Sequence, residues 1–133
     1  MTHRRTDAPT HRRTPPNRNA SRLLRALGEL QRALAPGGAV IIFETFGTAT
    51  EAPQRQGSWL YAHFRASGLE ETYVRTDYRF PSMAAALDTL TFFFGRGVAS
   101  RASKVMVAEP DGHCIVPECT GVWWMRKRAP PGD

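Results

Sequence analysis

A chain of 133 residues is long enough for one domain with its own core, and an apolar content of 41% excludes a wholly disordered polypeptide. The net charge of +6 lies entirely within residues 1–25, which hold seven arginines and one acid, Asp7; the remainder is neutral, which weakens an inference from overall basicity to nucleic-acid binding. No stretch approaches the ~20 apolar residues of a membrane helix, the start lacks the apolar core of a secretory signal, and Cys114 and Cys119 make no disulfide framework, so the sequence predicts a cytoplasmic protein with reduced thiols.

Residues 1–20 are rich in Thr, Arg, His, Pro and Asn, a composition that cannot offset its own ordering entropy, and read as a disordered basic arm. The arm could touch nucleic-acid phosphates, although it has no Phe, Tyr or Trp to stack on bases, and that partner is not favoured. An arginine-rich targeting peptide is a second reading, against which Pro15-Pro16 and the missing amphipathic pattern count. The preferred reading is a lead-in foreign to the fold, such as a misassigned start.

Ser21 to Ala35 predicts a helix with Ser21 as N-cap and Leu23, Leu24, Leu27, Leu30 and Leu34 on one apolar stripe. Pro36 ends it, and Gly37 and Gly38 suit a tight turn. Val40, Ile41, Ile42 and Phe43 follow without a polar break, which predicts a strand over Ala39 to Thr45 buried on both faces. A polar loop leads to a short helix carrying Trp59, Leu60, Tyr61 and Phe64, stopped by Gly68. Glu70 to Phe80 reads as one strand. Ser82 is the N-cap of a helix that turns Leu87, Leu90, Phe93 and Phe94 toward the core and stops at Gly95. Val98 to Val107 predicts another helix, Asp111-Gly112 a turn, and His113 to Arg126 an extended strand interrupted at Pro117. Residues 21–128 are thus the folded part and 129–133 a loose tail.

The segment Arg32 to Thr45, Arg-Ala-Leu-Ala-Pro-Gly-Gly-Ala-Val-Ile-Ile-Phe-Glu-Thr, resembles the fourth-helix-to-fifth-strand signature of class I S-adenosylmethionine-dependent methyltransferases. Asp77 to Ser82, Phe92 to Gly95 and Ile115 to Trp124 resemble the carboxyl-terminal half of one bacterial branch of that family. The resemblance runs from about Leu23 to Arg126. It implies an α/β fold with a partial Rossmann-like methyltransferase sheet: strands five (Ala39 to Thr45), six (Glu70 to Phe80) and seven (within Cys119 to Arg126) of the order 3-2-1-4-5-7-6, with flanking helices. The cofactor it implies is S-adenosylmethionine, and the reaction is methyl transfer to an acceptor that the sequence does not identify. The family's glycine-rich cofactor loop and ribose-binding acid have no match here, so cofactor-binding residues are none. The expectation is a truncated methyltransferase, inactive alone, that self-associates through the open edge of its central strand. The rival readings are a basic nucleic-acid-binding module and a partner subunit that completes its sheet with another chain.

The candidate substrate-pocket residues are Glu44, Thr45, Phe46, Gly47 and Tyr61. Ligands gather at the carboxyl ends of strands in open α/β sheets, and Glu44 and Thr45 end the central strand; a plain strand cap facing water is the equal alternative for Glu44. By resemblance, Phe46 to Thr50 borders the acceptor pocket. Tyr61 and His63 could face the same side, with a surface helix the favoured account. Gly95-Arg96-Gly97 imitates a cofactor loop but follows a helical run, so a helix stop is preferred. His113, Cys114 and Cys119 lack the fourth ligand of a structural zinc site and read as buried strand residues; no metal is expected. Glu118 reads as structural. Trp123 and Trp124 point to opposite faces of their strand.

Overall fold

The computed structural model describes residues 18–129; the basic arm up to residue 17 and the tail beyond residue 129 lie outside the described residues. The elements are α1 (Arg18–Ala33), β1 (Ala39–Thr48), α2 (Trp59–Ala66), β2 (Glu70–Arg75), β3 (Tyr78–Phe80), α3 (Met83–Val105), β4 (Val107–Ala108), β5 (Cys114–Val116) and β6 (Glu118–Arg126). Together they make a mixed α/β fold with two small antiparallel sheets, ordered β1-β6-β2 and β3-β5-β4.

The first helix begins at Arg18 rather than Ser21, so Ser21 lies inside it and residues 18–20 belong to the fold, with Ala20 buried. Only part of the leucine stripe is used. Leu27 is buried and Leu23 packs beside it, while Leu24 and Leu30 are exposed. At the far end Gly37 takes a positive φ of 78°, and Lys127 ties the turn down. The Gly37 amide donates to the Lys127 carbonyl at 2.9 Å, the Lys127 amide donates to Gly38 O at 2.8 Å, and Lys127 Nζ donates to Leu34 O at 2.8 Å just past the helix. A lysine there satisfies carbonyls that the helix end leaves without partners.

β1 was expected to be buried on both faces and to end at Thr45; it does neither. Leu23 and Leu27 from α1, with Leu60, Tyr61 and Phe64 from α2, pack with Ile42, Trp123 and Met125 on one face of the sheet. On the opposite face Ile41 is 58% exposed and Phe43 65%. Alternation explains this: successive side chains point to opposite faces, and among the described residues only one face of β1 is covered by helices. The strand continues to Thr48 through a bulge. Thr45 pairs with Thr120 and Gly47 with Cys119, which leaves Phe46 as the extra residue. Trp123 is fully buried and Trp124 only partly, as adjacent positions on a strand require.

The strand expected over Glu70 to Phe80 is two strands in different sheets, β2 beside β6 and β3 beside β5. The switch falls at Thr76 and Asp77, level with Pro117, where β5 gives way to β6. The Thr76 amide donates to Glu118 O at 3.0 Å, and the Glu118 amide donates to Asp77 Oδ1 at 3.1 Å. Both segments therefore change sheet together, at the residue that cannot donate to a ladder.

α3 starts as expected, with Ser82 Oγ accepting from the Ala85 amide at 3.1 Å. Helical geometry breaks at Gly95, whose φ of 82° and ψ of 171° no helix contains, and resumes beyond it. Leu90 is buried, but Phe93 and Phe94 are exposed together with Phe92, contrary to the expected inward face. Consecutive helical residues are about 100° apart, so three adjacent rings cannot share one buried face. Ala86, Leu90, Ala99 and Ala102 instead join Cys114 and Val116 in a second core cluster.

Candidate functional site

The carboxyl end of β1 is built around the bulge at Phe46. The Phe46 ring is fully buried and meets Tyr61 edge-on at 5.0 Å and Trp123 at 5.7 Å. Arg55 lies 5.6 Å from its centroid and is itself held by Glu71 at 2.8 Å. Past the bulge, Gly47 has φ 138°, and a Cβ there would stand 2.9 Å from Gln54 Cγ. Glycine thus lets the loop from Ala49 to Gln54 fold back onto the strand end. That loop is fastened by Thr50 Oγ1 donating to Ala52 O at 2.6 Å.

Thr45 is the polar centre of the site. Its hydroxyl donates to Glu118 Oε1 at 2.7 Å and accepts from the Gly47 amide at 3.1 Å, and its carbonyl accepts from the Tyr61 hydroxyl. Burial, reinforced by the carboxylates of Glu44 and Glu118, pushes the Tyr61 phenol above its ordinary range, so it remains a protonated donor at neutral pH.

Thr45, Phe46, Gly47 and Tyr61 line one cavity of about 390 Å³, whose other wall includes Phe94, Val98 and Arg101 of α3. A neighbouring cavity of about 400 Å³ is lined by Gly47, Thr48, Ala49, Thr50, Gln54 and Arg101. Four of the five candidate residues thus come together. Glu44 does not line either cavity and acts there only through its charge on Tyr61. His63 lies elsewhere, its Nδ1 within 2.7 Å of Trp59 O of its own helix.

Cys114 and Cys119 sit in separate core clusters, with their thiols toward Ser82 O and Thr50 O. Burial raises both thiols above their usual range, so neither is an activated nucleophile. Among the described residues no group of three or more His, Cys, Asp or Glu side chains is arranged to hold a metal ion. The Gly95-Arg96-Gly97 stretch does not form the strand-to-helix loop that a glycine-rich cofactor motif requires. Gly95 and Gly97 lie inside α3, with helix on both sides.

Sequence reasoning missed the importance of Glu118. It is only 3% exposed, accepts from the Thr45 hydroxyl at Oε1, and has no hydrogen-bond partner at Oε2 among the described residues. The available signal was Pro117 immediately before it, because the break in the ladder turns the next side chain into the junction between sheets. Arg101 was also missed. An exposed helical arginine carries no sequence mark of lying over a strand end far away in the chain.

No protein-family model matches this chain, and no curated protein matches it. Among the described residues, no helix is long and apolar enough to cross a membrane.

Proposed function

We propose that the chain supplies the methyl-acceptor side of a class I S-adenosylmethionine-dependent methyltransferase fold. The observation that carries this reading is the strand order β1-β6-β2, with β6 antiparallel to both neighbours. It is the arrangement expected of strands five, seven and six in the resembled family. The motif at Arg32 to Thr45 and the cavity at the carboxyl end of β1 support the same reading.

In this account the chain binds and orients the acceptor, and the cofactor-holding residues come from another segment of polypeptide. S-adenosylmethionine would supply the methyl group as a sulfonium. Thr45 and the bulge at Phe46 shape the floor of the acceptor cavity, and Phe94 and Val98 its apolar wall. Orientation of the acceptor is the chain's contribution to rate. A cytoplasmic location goes with this reading and suits two free, buried thiols.

One observation favours a sheet completed by association. β1 is an edge strand whose Ile41 and Phe43 are exposed, and such an edge is a template for another strand. Self-association through β1 is therefore part of the proposal.

The test is complementation. The chain is mixed with a separate polypeptide carrying the other four strands, the glycine-rich loop and the ribose acid of a class I methyltransferase. S-adenosylmethionine binding is then measured by calorimetry. The chain alone should be silent and the mixture should bind. Micromolar binding by the chain alone, about −8 kcal/mol, would place the cofactor site in this chain and contradict the assignment to the acceptor side.

A further inference from the structure

The two cavities at the end of β1 meet at Gly47, Thr48, Gln54 and Arg101. Among the described residues, Arg101 is the one charged residue lining either of them. Its side chain has no ion pair or hydrogen bond among the described residues, whereas Arg55, Arg65, Arg75 and Arg79 are each paired with a carboxylate. Thr45, which donates to Glu118, and Tyr61, which feels the charges of Glu44 and Glu118, line only the first cavity. The site is therefore polarised, with acids behind Thr45 and a free guanidinium where the cavities join.

The apolar part of the wall comes from the same helix. Phe94 and Val98 precede Arg101 on α3 and line the first cavity with it. Phe94 is exposed and Val98 half-buried, so both present surface to a ligand. A planar apolar body against Phe94 and Val98 would put an acidic substituent within reach of a guanidinium, whose rigid fork matches oxyanions.

We propose that this double cavity binds a small aromatic molecule bearing an anionic group, carboxylate or phosphate, with Arg101 receiving the anion. This names the class of acceptor and so rests on the reading of β1's end as an acceptor site. The binding itself is measurable without any cofactor.

The experiment titrates the full chain with benzoate, phenyl phosphate and the neutral benzamide, followed by NMR. Saturable binding of at least one anion is expected, with benzamide at least about tenfold weaker. Arg101→Gln should weaken the anion by a similar factor, and Arg101→Lys should restore part of the loss. Arg96→Gln is the charge control, because Arg96 lines a different cavity with Thr91 and Ser103. Its binding should equal that of the wild type. Arg101 has no hydrogen bond or ion pair to lose among the described residues, and unchanged near-ultraviolet circular dichroism will show that each variant is folded. The anion that binds identifies the source of the negative charge. The proposal is overturned if neither anion binds, if benzamide binds equally well, or if Arg96→Gln and Arg101→Gln have equal effects. Failure here leaves the methyltransferase reading standing, whereas cofactor binding by the chain alone would contradict that reading and leave the Arg101 result intact.

Discussion

The ring of Phe46 lies against Gly121: a methyl group built on Gly121 would stand 2.8 Å from Cζ and 2.9 Å from Cε2 of that ring. Gly121 sits opposite Glu44 on β1 and Tyr73 on β2, at the middle of the central strand. The bulge residue therefore folds its side chain onto the one place in β6 that has no side chain of its own. Gly121→Ala must displace a ring that Tyr61 and Trp123 hold from two sides. Overpacking of this kind costs about 1–3 kcal/mol. The urea midpoint should fall with an unchanged slope. An unchanged midpoint would show that the ring is free to move aside.

The hydrogen bond from Thr45 to Glu118 is the second point of strain on stability. Oε2 of Glu118 already lacks a partner among the described residues, so Thr45→Val would leave both carboxylate oxygens without a hydroxyl donor. The expected loss is about 1–3 kcal/mol, the cost of stranding a buried acceptor. Thr45→Ser keeps the donor and should recover most of it. A loss in Thr45→Ser with none in Thr45→Val would mean that the Thr45 methyl group, not its hydroxyl, matters.

A third expectation concerns acid. Asp77 accepts two hydrogen bonds from Arg75, at 2.9 and 2.8 Å, and one from the Glu118 amide. The Arg75 bonds are the largest cause holding its carboxyl below the usual range. A depressed carboxylate contributes stability that is present above the unfolded value of about 3.9 and lost as pH falls through the folded value. Asp77→Asn should therefore flatten the decline in stability below about pH 4. The ion pair is partly exposed, which keeps its direct contribution small. An unchanged acid slope in chemical denaturation would show that other carboxylates dominate.

Local chemistry was legible in the sequence where one residue decides one event. Pro36 and Gly37 end α1, Ser82 caps α3, Gly95 breaks it, and Pro117 divides β5 from β6. Of the candidate residues that line the cavity, Thr45 followed from the rule about strand ends and Phe46 and Gly47 from the family resemblance, whereas Tyr61, favoured as a surface-helix residue, is buried. Burial was less legible, because an apolar run does not say which of its faces finds a partner. Ile41 and Phe43 read like Val40 and differ only in what lies across from them. The division of Glu70 to Phe80 depended on Glu118, about forty residues later, whose backbone reaches both Thr76 and Asp77. Glu118 and Arg101 acquire their places only through contacts distant in sequence, and no local period marks such contacts.

The central claim is that β1 is an unfinished edge of a larger sheet. The most direct measurement is sedimentation of the full chain and of Ile41→Lys across a concentration series. Ile41 is largely exposed, so a lysine there removes little core while charging the edge strand. The account predicts concentration-dependent association of the wild type and a monomer for the variant. A monodisperse wild-type monomer at every concentration would contradict it, and the reading of the chain as one side of a methyltransferase sheet would fall with it.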